Sequence, residues 1–312
     1  MNKTTVATLA ALAGNSIFGF SFLFSKMALD LTTPFVLLAV RFLTAFLVMN
    51  LLVLSGIMKL DLKGKPVKML LILGLVQPVI YFICENYGIA MTSTALSGTM
   101  LALTPIAGLV LGRVFLKEPC RPFQVLCAIG SIVGVSMTTA GGVGKVSALG
   151  VALLLGAAVS AAAFNVISRS TARYFSAFER TYVMFALGSV VFTVIALVEN
   201  RNNMEALKLP LTTPRFWASV LYLAVASSVC AFLLINYAVN FLPAGKVAMY
   251  TNFTSVISVL AGILILKESF SAVQILGIVI IIASVFGVSY ERKAKAADGS
   301  GDSDASSVTS EK

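Results

Sequence analysis

The sequence predicts an all-α integral membrane protein: ten transmembrane helices in two inverted five-helix repeats. Three observations carry this. First, the 312 residues are 58% hydrophobic and 12% charged, with mean hydropathy +0.96; soluble domains carry roughly 25% charged residues. Second, ten apolar runs, each about long enough to span a bilayer at ~20 residues, lie near 4–28, 33–57, 67–90, 94–116, 121–140, 147–170, 177–199, 213–239, 243–266 and 270–290. Third, one pattern occurs twice without a gap. Asn86–Tyr87, Thr104, Gly112, Leu116–Lys117–Glu118, Gln124 and Val135 recur as Asn236–Tyr237, Thr254, Gly262, Leu266–Lys267–Glu268, Gln274 and Val285. Five spans separate the copies, so the second half enters the membrane upside down. Inverted halves around a central site are the usual geometry of alternating access.

The boundaries expected are 1–143 for the first repeat, 144–291 for the second, and 292–312 for a polar, acidic, disordered cytoplasmic tail. The runs are continuous rather than alternating, which argues against a β-barrel. With the N-terminus cytoplasmic, the inner segments hold Lys59/Lys63/Lys65/Lys68, Arg113/Lys117/Arg121 and Arg169/Arg173/Arg180. The outer ones hold fewer cations, so both termini are expected inside a cell (inner or plasma) membrane. The net charge of +10 is then a topology signal and not a nucleic-acid footprint.

In span one, Asn15, Phe18 and Phe22 line up at helical spacing. The run continues past any signal-peptide length without a small-residue cleavage site, so it reads as an uncleaved span. Span two carries Arg41, ~12 Å from its outer end at 1.5 Å per residue. Span three carries Glu85 at ~9 Å, with Tyr81 one turn before it and Pro78 earlier still. An intramembrane charge is costly and normally pairs or lines water. Arg41 and Glu85 therefore either form an ion pair or share a substrate, and Glu85 is the candidate for proton coupling. Span four places Ser97, Thr104 and Gly108 on one side, with Pro105 interrupting it. Gly108-x-x-x-Gly112, its copy Ser258-x-x-x-Gly262, and Gly130-x-x-x-Gly134 in span five are close-packing seams; the last would also suit a homodimer.

Span six ends with Asn165 and Ser168. Spans seven and eight flank the longest outer connection, Glu199–Arg215. Span nine aligns Lys246, Tyr250 and Phe253 on one face and carries Asn252. The repeat acts as a filter here. Asn86 and Tyr87 recur as Asn236 and Tyr237, which suggests scaffold, whereas Glu85, Lys246 and Asn252 align with Ile235, Leu96 and Ala102. Polar residues kept in one half only are the better substrate candidates.

Several motifs resemble one family. Leu103–Thr104–Pro105 followed by Leu116–Lys117–Glu118, the preceding Tyr87–Gly88–Ile89–Ala90, Arg41–Phe42, the run Phe164–Asn165–Val166–Ile167–Ser168–Arg169 and the echo Lys267–Glu268 resemble the EamA-type family of the drug/metabolite transporter superfamily. The resemblance covers nearly all of 4–290. It implies a secondary transporter, commonly an exporter of amino acids, related metabolites or drugs, with a cavity between the halves. One departure is that Thr254–Ser255 stands where the first half has Thr104–Pro105, so the two gates need not move alike.

Other classes are less well supported. The chain has no His. Its four cysteines (Cys84, Cys120, Cys127, Cys230) show no metal spacing, and no phosphate-cradling G-x-x-x-x-G-K-[ST] motif occurs. No cofactor, metal or ATP drive is expected, and an intramembrane enzyme lacks an evident nucleophile and base. A non-transporting scaffold or lipid-handling protein is the other alternative. The partners expected are a small-molecule solute and the lipid bilayer.

Overall fold

The computed structural model describes residues 3–115, 122–140, 147–171, 173–241 and 244–287. Within these, the side chains of 112–115, 139–140, 165–166, 169, 206, 209, 236, 239–241 and 244–252 lie outside the description. The tail at 292–312 and the Lys117–Glu118 motif also fall outside it.

Each apolar run folds as a helix. We number them α1 (Lys3–Leu29), α2 (Pro34–Leu54), α3 (Lys68–Met91), α4 (94–115), α5 (Pro122–Ala140), α6 (Ala148–Thr171), α7 (Ala177–Glu199), α8 (214–241), α9 (Ala244–Leu264) and α10 (Ala272–Gly287). The described residues contain no strand. Among the described residues six helices are long and apolar enough to cross a membrane: α1, α2, α3, Thr94–Leu111 of α4, α7 and Pro214–Ile235 of α8. The other four are shorter apolar helices over their described stretches. The expected count of ten spans is therefore supported for six of them by length and composition. The Glu199–Arg215 connection contains a further short helix, Glu205–Leu211.

Polarity is arranged for lipid. Leu47, Leu51, Ile132, Val190 and Leu264 are exposed on the outside, whereas Arg41 and Glu85 are buried. That is the distribution expected when the hydrocarbon phase is the solvent. Inside, Phe42 anchors an aromatic core, with its ring 5.1 Å from Phe82, 5.6 Å from Phe185 and 5.3 Å from Phe192. That cluster fixes α2 against α3 and α7. Elsewhere α1 packs on α8 and α9, α3 on α6, and the 94–101 part of α4 on α9.

Local sequence explains the irregular helices. Pro78 lacks an N–H and drives the residue before it out of the helical region; Gln77 has φ −142°, ψ 116°, inside a π-helical stretch Leu75–Ile80. The carbonyl of Val76 is met by Ser160 Oγ at 2.8 Å. In α8 the π-helical stretch Tyr222–Cys230 contains no proline. There Ser228 Oγ donates to Leu223 O, five residues back, at 2.8 Å. A hydroxyl competing for helix carbonyls explains the wide turn. In α4 the helix stops at Leu101 and restarts at Thr104, with Pro105 in the new first turn. The helix α9 runs unbroken from Ala244 to Leu264, as Ser255 in place of a proline permits.

The small-residue seams have definite partners. A Cβ on Gly98 would collide with Ser258, and one on Gly262 with Glu268. Gly134 lies against Gly277 O and Ile281, and Gly130 against Ser284. The Gly130-x-x-x-Gly134 seam thus joins α5 to α10 within one chain, the close-packing role expected of it. A glycine seam serves whichever helix approaches closest, and the chain itself supplies that helix. Gly134→Leu is expected to push α5 off α10 and cost about 1–3 kcal/mol as overpacking. Thermal unfolding in detergent checks this, and an unchanged midpoint would contradict the seam.

Candidate functional site

The two helix breaks, α1, α2 and α4 surround a central cavity of about 240 Å³. Its polar lining includes Asn15, Arg41, Gln77, Tyr81, Glu85, Thr104 and Ser227, and aromatic walls come from Phe18, Phe22, Phe82 and Phe232.

Arg41 is 3% exposed. Its guanidinium carbon sits 4.6 Å from the centre of the Phe82 ring and 5.9 Å from that of Phe42. Its Nε donates to Ser228 Oγ at 3.3 Å. Glu85 is 5% exposed and accepts from the Tyr81 hydroxyl at 2.9 Å. Among the described residues the one ion pair within 4.0 Å is Lys65–Glu179, at 2.8 Å. Arg41 and Glu85 therefore do not meet directly. Of the two arrangements the sequence allowed, the structure has both charges facing one space with neither neutralising the other by contact. A ring face and a hydroxyl are weak substitutes for a counter-ion in so buried a place.

The other candidates divide. Asn15, Phe18, Phe22, Tyr81 and Thr104 line the same cavity as Arg41 and Glu85. Asn15 Nδ2 donates to Ala11 O at 2.8 Å, and its Oδ1 accepts from Thr254 Oγ1 at 3.3 Å. Phe18 stands edge-on to Phe232 at 5.3 Å. Thr104 Oγ1 donates to its own helix at Leu101 O, 2.7 Å away. Ser97 is not in the lining; it donates to Ser93 O at 2.7 Å and pairs with Thr92 Oγ1 at 2.8 Å. Ser168 is also elsewhere, held by Arg180 Nη1 at 2.7 Å. Helical spacing put both on a plausible face, but short hydroxyl side chains found nearer partners. Asn165 on α6, and Lys246, Tyr250 and Asn252 on α9, have side chains outside the description. Phe253, expected on the Lys246 face, is 42% exposed, where an apolar ring suits lipid. Asn86 is fully buried and bonds to Phe82 O at 3.0 Å, away from the cavity lining.

Gln77 and Ser227 were missed by sequence reasoning. They stand 150 residues apart, the spacing of the repeat, and each lies in a π-helical stretch. Extending the alignment back from Asn86 would have found them. Gln77 is 9% exposed and Ser227 0%. The Ser227 hydroxyl has no hydrogen-bond partner among the described residues.

One edge of the bundle near the cavity is held by charge. Glu268 Oε1 accepts from Thr94 N at 2.7 Å and Oε2 from Ala95 N at 3.1 Å, capping the start of α4. Lys26 Nζ donates to Thr92 O at 2.7 Å and Ile89 O at 2.9 Å, closing the end of α3. A carboxylate at a helix N-terminus and an ammonium at a C-terminus both complement the helix dipole. On this side α9 lies against α4 through Ser258 and Gly98, whereas among the described residues its packing on 104–115 is sparse.

Comparison with known proteins points to a transporter family. The sequence pattern of the EamA-like transporter family matches residues 5–140 and again residues 148–290. The chain is similar to uncharacterized transporter YcxC of Bacillus subtilis (strain 168), 33% identical over 304 residues, spanning 94% of this chain and 96% of that protein. It is also similar to uncharacterized transporter YetK of the same organism, 27% identical over 300 residues, spanning 94% and 89%. A solved crystal structure of a protein 17% identical superimposes with a TM-score of 0.61, covering 90% of this chain and 96% of that one, a likeness of fold.

Proposed function

The chain belongs to the EamA-like transporter family, and from that premise we propose that it is a secondary transporter of small organic zwitterions, amino acids or related metabolites, with export as its direction. The observation that carries the substrate reading is the pair of buried, opposite, non-contacting charges in one cavity. A guanidinium recognises a carboxylate, and a carboxylate recognises an ammonium. A solute bearing both satisfies Arg41 and Glu85 together, and the Phe18, Phe22 and Phe232 walls take its apolar part. Drugs are the lesser reading, because about 240 Å³ is below the ~300–1,000 Å³ of drug-sized pockets.

The mechanism proposed is alternating access between two inverted five-helix halves, ten spans in all, with both termini cytoplasmic in the cell membrane. The packing of α1 on α8 and of α6 on α3 supports this, since the repeat exchanges those pairs. So do the two stretches matched by the family pattern. In this topology the Glu268 edge is external and holds the cavity shut on that side. Proton drive through Glu85 belongs to the same proposal.

The test is counterflow in proteoliposomes: saturable exchange of a radiolabelled amino acid supports the carrier, and its absence across a panel of zwitterions refutes the substrate reading. The gate has its own test. In a cysteine-free background, Glu268→Ala is expected to raise the reactivity of an Ala102→Cys probe toward an impermeant thiol reagent added outside, about tenfold. An unchanged rate would mean that the Glu268 cap is not a gate.

A further inference from the structure

We infer that Gln77 and Ser227 form a second polar subsite of the central cavity, one that takes a neutral hydrogen-bonding substituent of the solute, a hydroxyl or a carboxamide. The inference rests on the zwitterion reading and adds to it what the solute carries between its charged ends.

A π-helical turn leaves backbone carbonyls without their usual donors, and those must be met. Here serines do so: Ser160 reaches Val76 O, and Ser228 reaches Leu223 O. One carbonyl in each break is thus met without Gln77 or Ser227. Both remaining side chains line the cavity. The Ser227 hydroxyl is fully buried without a partner, and no hydrogen bond of the Gln77 side chain occurs among the described residues. A buried polar group left unsatisfied is unfavourable, and a group kept that way at the wall of a binding cavity is explained by a partner that arrives with the ligand. Both groups donate and accept and neither can ionise, so they complement a neutral polar group and not a charge. Their equivalence under the 150-residue repeat puts one in each half, so the subsite is shared across the seam where the halves move.

The probe is an isosteric pair, L-threonine and L-valine, differing by a hydroxyl in place of a methyl. Competition binding to the purified full chain is expected to favour threonine by about tenfold, since a site built to bond a hydroxyl rejects the analogue lacking it. Ser227→Ala and Gln77→Leu should each reduce that preference to about twofold or less by weakening threonine binding more than valine binding, a pattern a merely structural role does not give. Preference retained in both variants, absent from a wild type that binds both amino acids, or lost together with valine binding overturns the subsite. A second arm does not depend on solute identity. Gln77→Cys and Ser227→Cys, in a cysteine-free background, should react with a small water-borne methanethiosulfonate, and unreactive thiols overturn the proposal. If the wild type binds neither amino acid, the zwitterion reading fails and the thiol arm alone decides the subsite, reactive thiols upholding it.

Discussion

Glu85→Gln is expected to reduce zwitterion transport about 10–100-fold and to abolish the response of the remaining flux to an imposed pH gradient. The magnitude follows from losing one charge-assisted hydrogen bond to an ammonium, ~1.5–3 kcal/mol. The amide is nearly isosteric, still accepts from the Tyr81 hydroxyl, and leaves the fold in place. Arg41→Lys should lower transport by a similar factor for a different reason. It keeps the charge but loses the planar fork that stacks on Phe82 and reaches Ser228. Proteoliposome flux with and without a pH gradient measures both. Flux in the Glu85→Gln variant that still follows the gradient would remove Glu85 as the proton carrier. If both variants transport at the wild-type rate, the two charges do not hold the solute.

The second large effect is expected at Gly98. A Cβ there would overlap Ser258, whose own hydroxyl bonds to Ser255 O at 2.9 Å while Ser255 Oγ bonds to Gly98 O at 2.9 Å. The Ser258 side chain lies directly on Gly98, and its Cβ cannot move aside without moving its helix. Gly98→Val should cost about 3 kcal/mol or more by overpacking, separate α4 from α9, and undo the Glu268 cap a turn away. Reduced folded yield by size-exclusion chromatography and a lowered unfolding midpoint are the readouts. The compensating pair Gly98→Ala with Ser258→Gly should recover most of the loss. Failure of that rescue, with the single variant unfolded, would locate the damage elsewhere than this contact.

Much of the architecture was legible in the sequence because it depends on quantities that a linear chain carries. Apolar run length sets helix length, and helices at 68–91 and 177–199 match the runs read near 67–90 and 177–199. Pro78 and Pro105 marked breaks because proline acts on its own backbone and its neighbour's. The depth of Arg41 and Glu85 could be counted in residues from a span end.

What was not legible depends on how one helix is rotated against another. Ser97 and Ser168 sat at sound helical spacing, yet each found a closer partner, in Thr92 and Arg180. The glycine seam of α5 promised close contact without naming the helix it meets. The proline-free break in α8 gave no local signal beyond adjacent serines.

The sequence by itself determined the lipid-embedded helices, the duplicated pattern and the depth of the two buried charges, because span length, repetition and position along a helix are one-dimensional. Only the tertiary structure decided that Arg41 and Glu85 line one cavity without an ion-pair contact, and that Gln77 and Ser227 join them there. Separations of a few ångströms between side chains on different helices are fixed by packing among segments distant in the chain, such as the Phe42–Phe82–Phe185–Phe192 cluster, and no local spacing encodes them.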